Sequence, residues 1–370
     1  MPTEMLPDLA SWKRSLKALS SEPLEQCPHF PAVAKRFEAW WAHDVLDRPI
    51  LIGFANPDPG RPINRRLDLM TNPAAWLEAK VTDMQQRYRT SDALPSVRVD
   101  FGPVLISSLV GGLREVGSDT CWTHAFIDDE WSNAPDWSIA DDNADWQLLH
   151  KLLDLAARDA AGRYLVCTPD LGGSADVLLN LRGSEAICLD VALNPDAIDS
   201  SLKRIDPSWR RAFSALYDRV LPEGAGIIHW HMLWSNVPYV IPACDLNALV
   251  GPDHFRKLLH PDIAGQAEAV GRAIFHLDGP DAAVHIDALL EVDALDAIQF
   301  TPGAGTPSAL RWLDMFRKIQ DRGRSLLIMV HIPDEIPMLL EELRPEGLAL
   351  FIDAAVTPDK LDEIEAQVAA

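Results

Sequence analysis

From residue 48 onward, short apolar runs alternate with longer segments of helical spacing. Eight runs read as strands: "RPILIGFAN" (Arg48 to Asn56), "SVRVDFG" (Ser96 to Gly102), "RYLVCTPDLGG" from Arg163, "GIIHWHML" from Gly226, "RAIFHLDG" from Arg272, "AIQFTPGAG" from Ala297, "SLLIMVHIP" from Ser325 and "LALFIDAAV" from Leu348. Between them lie helical patterns. "WQLLHKLLDLAARDAAG" has apolar residues at helical spacing and a glycine that can end the helix. "PSALRWLDMFRKIQDRG" and "PDEIPMLLEELRPEG" separate the last three runs in the same way. Strands alternating with helices imply an α/β protein with a parallel sheet, and eight such units favour a closed (β/α)8 TIM barrel over an open doubly wound sheet. No GxGxxG or GxxxxGK[ST] follows any strand, so no nucleotide cofactor is signalled. The first 45 residues predict a helical cap. The polar stretch from Asp119 to Asp145, with "DDEW", "APDW" and "DDNADW", predicts an excursion or lid within a single domain spanning residues 1–370.

Composition narrows the function classes. The chain has 370 residues, 48% of them hydrophobic, enough for a sizeable core. Its 33 basic and 55 acidic residues leave a formal net charge of −22, which opposes binding to nucleic acid or to an anionic membrane surface. The five cysteines (Cys27, Cys121, Cys167, Cys188, Cys244) are odd in number and form no CxxC. That argues against a disulfide framework or a zinc module and fits a reducing compartment. "MPTEMLPDLASW" lacks the pattern of a signal peptide, and the apolar stretch Gly226 to Gly251 carries His229, His231, Asn236 and Asp245. A cytoplasmic location is the expectation.

In a parallel barrel, chemistry gathers where strands end. The third strand ends in Asp170, before "LGGSAD", where Asp176 reads as a solvated group. The fourth carries His229 and His231, flanked by Trp230 and Trp234 and followed by Asp245. The fifth carries His276 and Asp278. The sixth ends in Gln299 and Thr301, before a "PGAG" turn whose Gly303 and Gly305 resemble an anion nest. The seventh ends at His331 and the eighth at Asp353. Residues two apart on a strand share a face, so His229 with His231, and His276 with Asp278, can point into the mouth together. A charged group before Gly-Pro at a buried strand end is costly without a purpose, which favours the His276 and Asp278 pair. A lone histidine such as His331 is more often structural, and His285 reads as a surface or capping group. Candidate catalytic residues are therefore His229, His231, His276, Asp278 and His331. Asp170, Trp230, Asp245, Gln299, Gly303 and Gly305 are candidates for binding substrate, with Trp230 suited to flat, partly apolar ligands.

The order of elements, with "DFGPVLISSLVGG", "TPDLGGSADVLLNLRG", "FHLDGP" followed by "IQFTPGAG", and a terminal strand before "TPDKLDEIEAQ", resembles the uroporphyrinogen decarboxylase-like superfamily. That superfamily includes corrinoid- and thiol-linked methyltransferases and the cobalamin-independent methionine synthase barrel. Its methyltransferases place His-x-Cys-Gly at the end of this strand and a further Cys near the last strand, and these hold zinc. Here the strand reads His276-Leu277-Asp278-Gly279, and Asp353 stands near the last strand without a cysteine. The resemblance thus implies a harder site of His276, Asp278 and Asp353, for zinc first and manganese or iron as alternatives. The arginine-rich "RQAGRY" motif of the decarboxylase is absent; "GRPINRRLD" (Gly60 to Asp68) is the nearest stretch.

Three readings follow. The first is a metal-dependent methyl transfer on a small molecule, with a corrinoid protein as partner by resemblance alone. The second is a metal-free lyase or decarboxylase using His/Asp acid–base chemistry, with a basic group such as Arg182 holding a carboxylate. The third is a barrel that binds a ligand without turnover. A homodimer is compatible with each.

Overall fold

The computed structural model describes Leu6, Trp12 and residues 22–55, 70–117, 120–221, 227–303 and 305–370. Each of the eight apolar runs contains a strand: β1 (Ile50–Ile52), β2 (Ser96–Arg98), β3 (Leu165–Cys167), β4 (Ile227–Ile228), β5 (Ile274–Asp278), β6 (Ala297–Thr301), β7 (Ser325–Val330) and β8 (Leu348–Ile352). Helices separate most of them, including α1 (Pro73–Gln86), α2 (Ala144–Ala160), α3 (Ser174–Arg182), α4 (Pro195–Val220), α5 (His260–Val270), α6 (Leu313–Asp321) and α7 (Ile336–Glu342), and α8 (Pro358–Ala369) follows β8. The protein is therefore a mixed α/β fold. Most strand positions are apolar and buried, as expected of parallel sheets covered by helices; Leu51, Leu165, Ile228, Ile298 and Leu327 have no exposed surface.

The backbone ladder runs in two parts. A five-stranded parallel sheet has the order β1-β8-β7-β6-β5. A second sheet pairs β2, β3 and β4 in parallel and ends in an antiparallel strand, Trp234–Ser235. The single continuous eight-stranded ladder expected from the sequence is not what the hydrogen bonds draw. Two other devices join the edges. On one side, residues 240–243 lie parallel to β5 through Val240 beside Ala273 and Ala243 beside His276. On the other, β1 is tied to the segment that leads into β2: Phe54 and Ala55 pair antiparallel with Arg89 and Tyr88, the Leu51 N–H donates to Asp92 at 3.0 Å and the Thr90 hydroxyl donates to the Leu51 carbonyl at 2.7 Å. Asp92 is fully buried and is paired with both Arg36 and Arg48 at 2.5 Å, which offsets the cost of a buried carboxylate.

The cap expected over residues 1–45 is a helix at Phe30–Trp41; apart from Leu6 and Trp12, the first 21 residues lie outside the described ones, as do "GRPINRRLD", Asp119 and Gly226. The Trp41 indole donates to the Trp234 carbonyl at 2.9 Å and ties this helix to the second sheet. The polar excursion has little regular structure after a short antiparallel pair, Arg114–Val116 with Cys121–Thr123. It is nevertheless packed down. Arg182 donates to the Ile127 carbonyl at 3.0 Å, Ser208 donates to the Trp137 carbonyl at 2.6 Å, and Trp137 has no exposed surface. Among the described residues, no helix is long and apolar enough to cross a membrane.

Candidate metal centre at the strand ends

Three ligand atoms, one each from Asp245, His276 and Asp278, lie within 4.8 Å of one another. The backbone explains why. Residues 240–243 run parallel to β5 with Ala243 beside His276, so two residues further on each chain comes an aspartate, Asp245 on one and Asp278 on the other. Gly173 allows the approach of α3 to this segment. A Cβ there would lie 1.9 Å from the Ala243 carbonyl oxygen, so no other residue fits. Asp176, in the first turn of α3, accepts the Asp245 N–H at 2.6 Å and the Gly173 N–H at 3.3 Å, fixing the start of the 3-10 turn Asp245–Leu249. Asp176 is thus a buried anchor, a correction to its reading as solvated. Three backbone N–H groups satisfy it, which no sequence spacing reveals.

The histidine is oriented from the next strand. β5 and β6 place His276 opposite Gln299 and Asp278 opposite Thr301. The Gln299 amide nitrogen donates to the Thr301 hydroxyl at 2.8 Å, which turns its carbonyl oxygen toward His276 Nδ1. A carbonyl only accepts, so Nδ1 carries a proton and Nε2 is the nitrogen left for a ligand. The Trp230 ring stands edge-on to His276 at 4.9 Å.

The mouth holds a cavity of about 280 Å³ lined by Arg98, Gly102, Pro103, Thr120, Asp170, Gly172, Asp176, Leu179, Asn180, Trp230, Ala243, Asp245 and His276. Burial among protein atoms pushes the carboxyls of Asp170, Asp176 and Asp245 above the usual range. For Asp176 the charge of Asp245 adds to the rise. For Asp245 the imidazole of His276 works against it and Asp278 adds to it. Asp245 is exposed by area because the cavity is open to water, yet protein surrounds that cavity, so both descriptions hold.

The remaining candidates fall elsewhere. His229 is fully bonded within the wall: Nδ1 pairs with the Thr168 hydroxyl and Nε2 donates to the Tyr239 carbonyl at 2.9 Å. Burial lowers it from 6.5 to about 4. His231 is 2% exposed, and neither ring nitrogen has a partner among the described residues. Its ring lies 3.9 Å from Trp230 and 5.4 Å from His276, and burial, then His276, hold it neutral well below the usual value. His331 faces Asp353 at 3.4 Å, and Asp353 is not in the group formed by His276 and Asp278, where Asp245 stands instead. Gly303 and Gly305 adopt φ of +79°, and a Cβ on Gly303 would meet Gly279 Cα at 2.9 Å, so the turn is a close contact between strand ends, outside the cavity lining. His285 is buried, donating to the Asn247 carbonyl at 2.9 Å and stacking on Phe255, not a surface or capping group. Arg182 is likewise buried, paired with Asp190 at 2.7 Å, and does not line the mouth. The cation that does is Arg98, the last residue of β2, whose place within an apolar run gives it no signal in the sequence. Asp245 lines the cavity and also joins the group of His276 and Asp278, a convergence the sequence hides because the proline in "VIPA" (Val240 to Ala243) masks its strand-like character.

No family model and no curated protein matches the chain. Among solved structures, a methyltransferase from Methanosarcina mazei matches with a TM-score of 0.58 over 91% of this chain and 99% of its own, at 13% sequence identity. At that identity the likeness is one of fold.

Proposed function

We propose that the chain is a small-molecule enzyme that binds a divalent metal through Asp245, His276 and Asp278 and transfers a methyl group. The convergence of these three ligand atoms within 4.8 Å carries the reading. One imidazole and two carboxylates form a hard donor set that leaves positions open for substrate, suited to zinc, manganese or iron, with zinc first. Methyl transfer is favoured by the fold shared with a methyltransferase. We read the two sheets, joined at both edges, as one (β/α)8 barrel whose strand C-termini form the mouth. A corrinoid protein as methyl donor rests on the family resemblance alone.

A divalent ion held there supplies Lewis acidity, lowering the pKa of a thiol or hydroxyl brought to it. The protein's own part is positional. Gln299 and Thr301 hold His276 through Nδ1 and leave Nε2 for a ligand, Asp176 fixes Asp245, and Trp230 packs its ring against the imidazole. The buried, unpartnered His231 favours a second reading, in which a neutral imidazole accepts a proton in lyase chemistry.

Cobalt(II) added to metal-stripped protein tests the first reading. One cobalt per chain, with a thiolate charge-transfer band on adding ethanethiol, is the expected result. No stoichiometric binding of cobalt, zinc, manganese or iron would overturn it and leave the acid–base reading.

A further inference from the structure

The cavity has a second chemical end. Arg98 closes β2 and lines the same space as His276 and Asp245, and it is the one cation in that lining among the described residues. Its side chain keeps 26% of its surface exposed. Its Nε is buried with no hydrogen-bond partner among the described residues, and its Nη2 has one ion-pair contact, with Asp100 at 3.6 Å, which is too long for a hydrogen bond. Asp100 is itself engaged, accepting the Gly102 N–H at 2.9 Å. A half-buried guanidinium so poorly matched within the protein is costly unless a ligand supplies acceptors. Structural arginines of this chain look different: Arg182 and Arg36 each bond two carboxylates.

We propose that Arg98 is the anchor for the carboxylate of a small, singly charged substrate. Size supports this, since about 280 Å³ is at the low end for small-molecule sites. Charge supports it too. Asp170, Asp176 and Asp245 line the same wall, so a dianion such as phosphate meets more repulsion than a monoanion does. A guanidinium also matches the planar carboxylate with paired donors. Leu179, Pro103 and Trp230 supply apolar surface for the body of the ligand. The inference rests on the mouth being a substrate site, but not on the metal.

The test uses metal-stripped full-length protein, so that a carboxylate has no ion to bind. Propionate is the probe, propionamide the neutral control, and saturation-transfer NMR the readout. Wild type binds propionate in preference to propionamide, and Arg98→Gln weakens propionate binding about tenfold or more. Arg98→Lys, which keeps the charge and guards against misfolding, retains part of the affinity. Equal binding by wild type and Arg98→Gln, equal binding of propionamide, or no binding to folded wild type would each overturn the proposal. Cobalt titration of Arg98→Gln separates the two claims: metal retained with propionate lost supports the anchor, whereas a wild type that binds propionate but no metal sinks only the metal reading.

Discussion

Two neighbouring strand pairs each end in a histidine and an aspartate, and only one of them is met by a second carboxylate within ligand distance. At β5 and β6, His276 is turned by Gln299, which Thr301 holds in place, and Asp245 arrives from a separate segment beside Asp278. At β7 and β8, His331 meets a single exposed carboxylate, Asp353, at 3.4 Å. The residue types are the same. What differs is the ring's own hydrogen bond and the presence of a second carboxylate. Metal affinity depends on several ligands converging and on second partners that fix them, so a histidine and aspartate at strand ends are not enough.

Removing a ligand from the first pair has the largest expected effect. His276→Ala or Asp278→Asn lowers metal affinity by about a thousandfold, roughly 4 kcal/mol, while His331→Ala leaves it unchanged, as read by cobalt or zinc titration. A comparable loss in His331→Ala would erase the distinction between the two strand ends.

The wall beneath the site gives the next effect. His229 is buried and lowered from 6.5 to about 4, so its neutral form favours folding fully above the unfolded value. As pH falls from 6.5 toward 4 the unfolded chain takes the proton first, and stability drops by about 3 kcal/mol from this group. His231, lowered for the same reason, acts in the same direction. Urea unfolding of wild type and His229→Asn at pH 7 and pH 4 isolates this loss from the effect of the buried carboxyls, which act in the opposite direction; the same pH dependence in both would mean that the wall is more hydrated than its burial indicates.

Smaller changes sharpen the contrast. Gln299→Leu removes the acceptor that orients His276 while leaving every ligand in place. It lowers metal affinity about 10- to 100-fold in the same titration. Asp353→Asn has the smallest effect, within about 0.5 kcal/mol of stability by thermal unfolding, because the carboxylate it removes is 56% exposed and stands 3.4 Å from its partner, His331.

The sequence carried part of this arrangement plainly. Period-two reasoning puts His276 and Asp278 on one face of a strand, and each of the eight apolar runs holds a strand, while short antiparallel strands such as Arg114–Val116 and Trp234–Ser235 carry no such signal. Gln299 reads as a substrate-binding candidate, but its register opposite His276 depends on how β5 and β6 pair, which one strand cannot specify. Asp245 is placed by two isolated bridges and by Asp176 some seventy positions earlier, contacts with no local signature. The same limit explains His285 and Asp176, whose polarity suggested solvent until long-range packing supplied their partners.

The most direct measurement is metal content per chain, by elemental analysis after zinc loading and gel filtration, for wild type, Asp245→Asn and Asp353→Asn. The account predicts one metal per chain in wild type and Asp353→Asn, and none retained in Asp245→Asn. Retention in Asp245→Asn with loss in Asp353→Asn would contradict it and return the site to the last strand.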